Sequence, residues 1–369
     1  MRPEVAIAYR SGLPPARAWS GIPAGLARGL AELDIDSRLI DAEPRRPVAL
    51  VAKAWAAVVR GDRNEGLLAP EIFKMREVQA RLRARKLTAV ACVQMGSDFG
   101  EPVRVPRVIL QDMTVTQAHR LMGPEGHLAR AATWVEWERA CYRNARACCV
   151  ASRWTADSLM RDYGLDPAKV HVVGFGRNFD PTPVPRDWDT PRFLFTGLDW
   201  NRKNGPMLLR AFARVRDEFP EATLDLVGDT PRADLPGVTA HGRLDRDDPE
   251  GRRRMERLLE TATCFVMPSK YEPFGMVYVE AGAAGIPSIG TTVGGSGEAI
   301  GDGGLVVDPK DEGALVDAMC RLSDPQRAAA LGAAALRRSR LFTWRAVAER
   351  VVRALGIPDM SARGLEAFL

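Results

Sequence analysis

Ser269-Lys270-Tyr271-Glu272-Pro273-Phe274-Gly275-Met276-Val277-Tyr278-Val279-Glu280-Ala281 is the stretch that decides how this chain reads. The apolar run before it, Cys264-Phe265-Val266-Met267, has the pattern of a fully buried strand. Pro268 ends that strand, and after Glu272 a Pro-Phe-Gly turn opens an apolar helix at Gly275. A strand that stops and resumes as a helix aims unpaired backbone N–H groups into the gap, and the helix dipole favours phosphate there. Glu272 and Glu280 flank that gap, eight positions apart. Like charges repel, so two carboxylates beside a phosphate are suited to accept hydrogen bonds from hydroxyls on either side of it. Hydroxyls, phosphate and hydroxyls in that order outline a nucleotide sugar.

Outward from this stretch, strands and helices alternate along the whole chain, the pattern of α/β layers with parallel sheets. Strands are expected near 4–9, 37–41, 88–94, 107–111, 147–151 and 170–175, with helices over 22–33, 70–86, 128–145 and 153–163. Asp180-Pro181-Thr182-Pro183-Val184-Pro185, with Pro191 close behind, cannot be a packed helix or central strand and reads as a linker. The alternation restarts at Phe193-Leu194-Phe195-Thr196-Gly197 and continues through strands near 222–228, 238–242, 264–267, 287–290 and 305–307. The expected architecture is two Rossmann-like, doubly wound domains facing across a cleft, with ligands at the carboxyl ends of the strands. The boundaries are 1–180 for the first domain, 181–191 for the linker and 192–342 for the second, which leaves 343–369 as a tail.

A chain of 369 residues suits two domains better than one core. No apolar run reaches the roughly 18 residues a membrane span needs. The start, Met1-Arg2-Pro3-Glu4-Val5, reads as a first strand rather than a signal peptide. None of the cysteines (Cys92, Cys141, Cys148, Cys149, Cys264, Cys320) makes a C-x-x-C pair, and no His lies at ligand spacing. They read as free buried thiols in a reducing cytoplasm, with no metal site. The net charge of +5 is uneven: residues 1–190 hold 28 Lys+Arg against 22 Asp+Glu, the rest 24 against 25. The basic half could draw an acidic acceptor, a nucleotide's phosphates or an anionic membrane face. No nucleic-acid motif accompanies the charge, so nucleic acid is not an expected partner.

Four further stretches carry candidate chemistry. Arg202 and Lys203 sit between a strand end and a helix opening near Pro206, where adjacent cations can neutralise a diphosphate. Trp19-Ser20-Gly21 follows the first strand, and a glycine loop lets a substrate approach the backbone. Asp112 ends the run Val108-Ile109-Leu110-Gln111, placing an acid at a strand's carboxyl end to bind acceptor hydroxyls or assist proton movement. His119, seven residues on, reads as a structural helical histidine. Met75 to Lys86 forms a basic helix with Met75, Val78 and Leu82 on one stripe. It reads as a packed helix with a solvated cationic face; the alternative is peripheral contact with an anionic membrane at the inner face.

The Glu272–Glu280 stretch resembles the donor-binding signature of the retaining GT-B glycosyltransferases, glycosyltransferase family four in particular. Glu272, Phe274, Gly275 and Glu280 fill that signature, and Ala284-Gly285-Ile286-Pro287, Gly294-Gly295 with Glu298, and Gly303-Gly304-Leu305-Val306 continue it. The resemblance implies a GT-B fold whose C-terminal helix crosses back to the first domain. It implies transfer of a hexose-type unit from a nucleoside diphosphate sugar, UDP- or GDP-linked, to a hydroxyl of a glycan, lipid-linked or small-molecule acceptor. Lys203 matches the family's pyrophosphate-binding lysine; Leu198 stands where an arginine is common, which leaves the second cation to Arg202. Lys203, Arg202 and the Gly275–Met276 backbone would hold the diphosphate, Glu280 the ribose and Glu272 the transferred sugar. Arg243 and Leu244, after His241-Gly242, would line the base pocket. Trp19, Ser20 and Gly21 resemble a W-S-G-x-P loop on the acceptor side. No metal or cofactor is expected. Two other readings bind the same donor: a nucleotide-sugar epimerase of this fold, and a non-catalytic nucleotide- or glycan-binding member.

Overall fold

The computed structural model describes residues 2–44, 70–122, 131–231, 235–245 and 247–356. Residues 357–369, and the first positions of the helix expected over 128–145, lie outside the described residues. The chain forms two compact units, one of residues up to Gly176 together with the segment from Trp344, the other Arg177–Thr343.

The first unit contains β1 (Glu4–Tyr9), α1 (Ile22–Ala31), β2 (Asp36–Asp41), α2 (Pro70–Ala84), β3 (Ala91–Met95), β4 (Arg107–Gln111), α3 (Val115–Met122), α4 (Ala131–Asn144), β5 (Ala147–Val150), α5 (Arg153–Tyr163) and β6 (Val170–Val172). Its strands run parallel in the order β2-β1-β3-β4-β5-β6. Every residue of β3, β4 and β5 is buried, because helices cover both faces, and this is why these strands read as continuous apolar runs rather than alternating ones. The tail helix Trp344–Leu355 packs on α1. A Cβ on Gly25 would lie 2.1 Å from the Trp344 ring, one on Gly29 2.1 Å from the Trp344 carbonyl oxygen, and one on Gly176 2.5 Å from the ring. Three glycines thus make the groove that this indole fills.

Helix α3 is not among the helix ranges expected from the sequence, although His119 within it reads as helical. Its start is a reciprocal cap: Gln117 N donates to Thr114 Oγ1 at 3.2 Å, and Thr114 N donates to Gln117 Oε1 at 3.0 Å. His119 lies in its last turn. Behind it, the fully buried Glu138 carboxylate accepts from Ser97 Oγ (2.8 Å), Gln111 Nε2 (2.9 Å), Val115 N (3.0 Å), Tyr142 OH (2.7 Å) and Tyr163 OH. A buried charge is tolerable when its lone pairs are all engaged, and here the engagement ties the segments after β3 and β4 to α4.

Helix α2 corrects an expectation. The Met75, Val78 and Leu82 stripe does not face the core. Val78 and Leu82 are each 55% exposed, and the buried face is Ile72, Phe73, Arg76, Ala80 and Ala84. Phe73 packs on Trp134 and Trp137, at ring distances of 5.9 and 5.3 Å, and Arg76 donates to the Asp98 carbonyl at 3.1 Å. A bulky aromatic anchor and a buried guanidinium set the helix rotation, so the other apolar residues turn outward.

The second unit contains β7 (Arg192–Gly197), α6 (Gly205–Glu218), β8 (Thr223–Gly228), β9 (Val238–Gly242), α7 (Pro249–Thr261), β10 (Cys264–Val266), α8 (Met276–Ala283), β11 (Ser288–Thr291), α9 (Ser296–Ile300), β12 (Gly304–Val307), α10 (Glu312–Leu322) and α11 (Pro325–Ser339). Its parallel sheet runs β12-β11-β10-β7-β8-β9. The proline-bearing segment before β7 is fastened to this unit. Arg186 donates to the carbonyls of Leu259 (3.0 Å), Ala262 and Ala284 (2.8 Å), at the C-terminal ends of α7 and α8, and stacks on Trp188. A cation at two helix C-termini meets the negative ends of both dipoles.

Candidate functional site

Strand order places the site before any side chain is considered. In the second unit the chain winds outward from β7 through β8 to β9, then jumps back to β10 on the other side of β7. Loops leaving the carboxyl ends of two such neighbouring strands diverge and leave a crevice, where ligands of doubly wound sheets bind. The loop after β7 carries Arg202 and Lys203; the turn after β10 carries Glu272.

These three residues meet there. Lys203 Nζ donates to Glu272 Oε2, Arg202 Nη1 lies 3.5 Å from the same oxygen, and Ser269 Oγ is 3.4 Å from it. The two loops are laced by the backbone: Lys270 N donates to Arg202 O at 2.8 Å, and Arg202 Nη1 donates to Tyr271 O at 3.1 Å with its guanidinium over the Tyr271 ring. Glu272 is also paired through its main chain, donating to Val293 O at 3.0 Å and accepting from Gly295 N at 2.9 Å. A Cβ on Gly294 would lie 2.0 Å from Glu272 O, so only glycine permits that approach. Burial pushes the Lys203 ammonium below the ordinary lysine pKa, with the Glu272 carboxylate opposing the shift.

The Pro-Phe-Gly turn has separate duties for each residue. Gly275 is the left-handed N-cap of α8, at φ 84°; a Cβ there would sit 2.5 Å from the Tyr278 ring and 3.0 Å from Glu272 Cγ. No side chain caps α8; in its first turn Tyr278 N donates to Gly275 O at 3.0 Å, while the N–H groups of Met276 and Val277 come too early for an i−4 carbonyl of the helix. Phe274 is buried and packs edge-on against Phe342 at 5.3 Å, so its ring anchors the turn from below. Tyr278 OH donates to Met267 O at 2.6 Å, tying α8 to the end of β10.

Glu280 is 6% exposed, and its Oε1 accepts from Asn178 N and Phe179 N, each at 3.2 Å. The carboxylate therefore holds the entrance segment of the second unit as well as lying on α8. Arg243 and Leu244 follow β9, and Arg243 makes a two-pronged pair with Asp229, which follows β8. That pair holds the Asp229 carboxyl below its ordinary pKa.

In the first unit the sheet also reverses direction, between β1 and β3. Trp19, Ser20 and Gly21 take three successive left-handed conformations after β1, with φ of 48°, 55° and 86°. Such backbone is costly for non-glycine residues and accumulates at functional loops. Trp19 Nε1 donates to Arg10 O at 3.0 Å, and its ring lies over Gly96, where a Cβ would be 2.8 Å away. Arg10 pairs with Asp98, and Arg76 Nη1 lies 3.6 Å from the same carboxylate. Asp112 lies one strand over, after β4, its carbonyl accepting from Thr155 Oγ1. Arg10, Asp98, Ser269 and Tyr271 were missed from sequence. The last two stand inside the quoted stretch; the first two have no local signal, since 88 residues separate them.

The cysteines are free; all but the half-buried Cys320 are buried, and burial pushes the Cys92, Cys141 and Cys148 thiols up to about 12. Among the described residues no group of three His, Cys, Asp or Glu side chains is placed to hold a metal ion.

Comparison with known proteins finds matches in both units. Residues 24–181 match the model of Glycosyltransferase Family 4, and residues 190–324 that of Glycosyl transferases group 1. The chain is 32% identical over 224 residues to a D-inositol 3-phosphate glycosyltransferase of Xylanimonas cellulosilytica, covering 54% of each. It is 33% identical over 254 residues to the glycogen synthase of Mycobacterium tuberculosis, covering 63% of this chain and 59% of that one. The matches span about half the length of these curated relatives. Among solved structures, sucrose-phosphate synthase from Thermosynechococcus elongatus superposes with a TM-score of 0.69 at 22% identity, over 95% of this chain and 98% of that one. WaaG, a glycosyltransferase involved in lipopolysaccharide biosynthesis, gives 0.65 at 15% identity, over 95% and 99%. At such identities the likeness is one of fold, the two Rossmann-like units of the GT-B glycosyltransferases. The chain thus carries a glycosyltransferase family four domain followed by a glycosyl transferases group 1 domain, on the fold of the GT-B glycosyltransferases.

Proposed function

We propose that this chain transfers a hexose-type sugar from a nucleoside diphosphate sugar, UDP- or GDP-linked, to an acceptor hydroxyl, with retention at the sugar carbon. The observation that carries the reading is the meeting of Lys203, Arg202 and Glu272 at the β7–β10 crevice, beside the uncapped start of α8. Cations and aligned N–H groups at one point suit a diphosphate whose charge grows as the glycosidic bond breaks. Glu272 would accept from hydroxyls of the transferred sugar, and Glu280 from the ribose. Protein cations would neutralise the leaving diphosphate without a divalent metal. The Trp19–Gly21 loop, with Asp98 and Asp112, would serve the acceptor. Retention is supported by the resemblance to the retaining glycosyltransferases of family four. The named relatives act on quite different acceptors, so a glycan, a lipid-linked sugar and a small molecule all fall within the reading.

The test is a thermal-shift screen of nucleotide sugars in the presence of EDTA. Binding to the folded state raises the melting temperature by mass action. One nucleotide sugar is expected to raise it in the wild type and to lose most of that effect in Lys203→Ala. No shift with any nucleotide sugar overturns the reading. A shift that appears only when Mg²⁺ is restored overturns the metal-free site. Conversion of the bound sugar without any acceptor would favour an epimerase instead.

A further inference from the structure

Helix α2 presents an outward face that the core does not explain. Val78 and Leu82, four residues apart, fall on one side of a helix, and both are 55% exposed. Lys74 and Lys86 continue that row one turn to either side, and Arg85 lies beside Leu82 at a spacing of three; all three cations are exposed. The opposite face is the buried one, anchored by Phe73 and Arg76. An exposed apolar pair enclosed by cations is unfavourable against water alone, and it complements a surface with apolar depth beneath an anionic layer. The charge excess of residues 1–190 has the same sign. No helix among the described residues is long and apolar enough to cross a bilayer.

We propose that this face of α2 docks the protein on an anionic lipid bilayer, with Val78 and Leu82 entering the headgroup region and Lys74, Arg85 and Lys86 meeting lipid phosphates. The inference extends the reading in which the acceptor is lipid-linked, but it is tested without reference to transfer.

The experiment is co-sedimentation of the full chain with phosphatidylcholine vesicles, with and without phosphatidylglycerol. The wild type is expected to sediment with the anionic vesicles at low salt and to be released as salt shortens the screening length from about 10 Å to about 3 Å. Val78→Ser with Leu82→Ser, and separately Lys74→Gln with Arg85→Gln and Lys86→Gln, should each lower the partition coefficient about tenfold. Circular dichroism and the nucleotide-sugar thermal shift should remain those of the wild type. Wild-type protein left in the supernatant with anionic vesicles at low salt overturns the proposal. So does equal binding to pure phosphatidylcholine, or undiminished binding of both variants, which would assign lipid contact to another part of the chain. A self-association that the serine pair abolishes, without vesicle binding, would make the occupant a second copy of this chain. Absence of vesicle binding by the wild type, with its nucleotide-sugar thermal shift intact, rejects the docking face and leaves the proposed transfer reaction standing.

Discussion

Lys203 Nζ donates to the Glu272 carboxylate across the carboxyl ends of two neighbouring strands, β7 and β10. The same carboxylate oxygen also faces Arg202 and Ser269. The cations suited to a diphosphate are therefore already engaged by an acid before any ligand arrives, and a diphosphate must share them or displace it.

Replacing Glu272 with Gln should accordingly free both cations. The affinity for a bare nucleoside diphosphate should rise on the order of tenfold, about 1.4 kcal/mol, while sugar transfer falls because the sugar loses its charged acceptor. Isothermal titration with the nucleoside diphosphate is the check. An affinity that is unchanged or weaker would mean that Glu272 does not restrain Lys203.

The lowered pKa of Lys203 sets a pH limit on binding. The group holds the diphosphate only when protonated, and burial moves its deprotonation below the ordinary lysine value of about 10.4. Affinity for the nucleoside diphosphate should fall as pH rises, and the fall should begin earlier than for an exposed lysine. In Lys203→Arg the fall should move beyond the measurable range. Alkaline limbs that coincide in the two proteins would assign the titration to another group.

Gly275→Ala should damage the site more than a methyl group suggests. The new Cβ would meet the Tyr278 ring at 2.5 Å and Glu272 Cγ at 3.0 Å, in a left-handed conformation that alanine resists. A cost of roughly 2 kcal/mol or more is expected, seen as a lower denaturation midpoint together with lost nucleotide-sugar binding. A variant with wild-type stability and binding would show that the turn relaxes freely.

Glu280 is expected to report on stability as well as on binding. Its carboxylate accepts from two backbone N–H groups of residues 178 and 179, and hydrogen bonds to a charged group contribute about 1.5–3 kcal/mol. Glu280→Ala should lower the melting temperature by several degrees in addition to weakening the nucleotide sugar, and Glu280→Gln should recover most of the stability. A melting temperature unchanged in the alanine variant would remove the bracing role.

What could be read from the sequence was what lies close along the chain. The strand, turn and helix around Glu272, the spacing to Glu280 and the adjacent cations at 202–203 are local patterns, set by side-chain period and by turn residues. Buried parallel strands announce themselves as apolar runs, so every strand of both sheets was placed to within a few residues. The pairs that make the site are not local. Lys203 and Glu272 are 69 residues apart, Asn178 and Glu280 102 apart. The first pair exists only because β10 lies beside β7, and strand order is a property of the folded sheet that no window of sequence contains. The same holds for α2: its stripe showed that Val78 and Leu82 share a face, while the packing of Phe73 and Arg76 decided that this face looks outward.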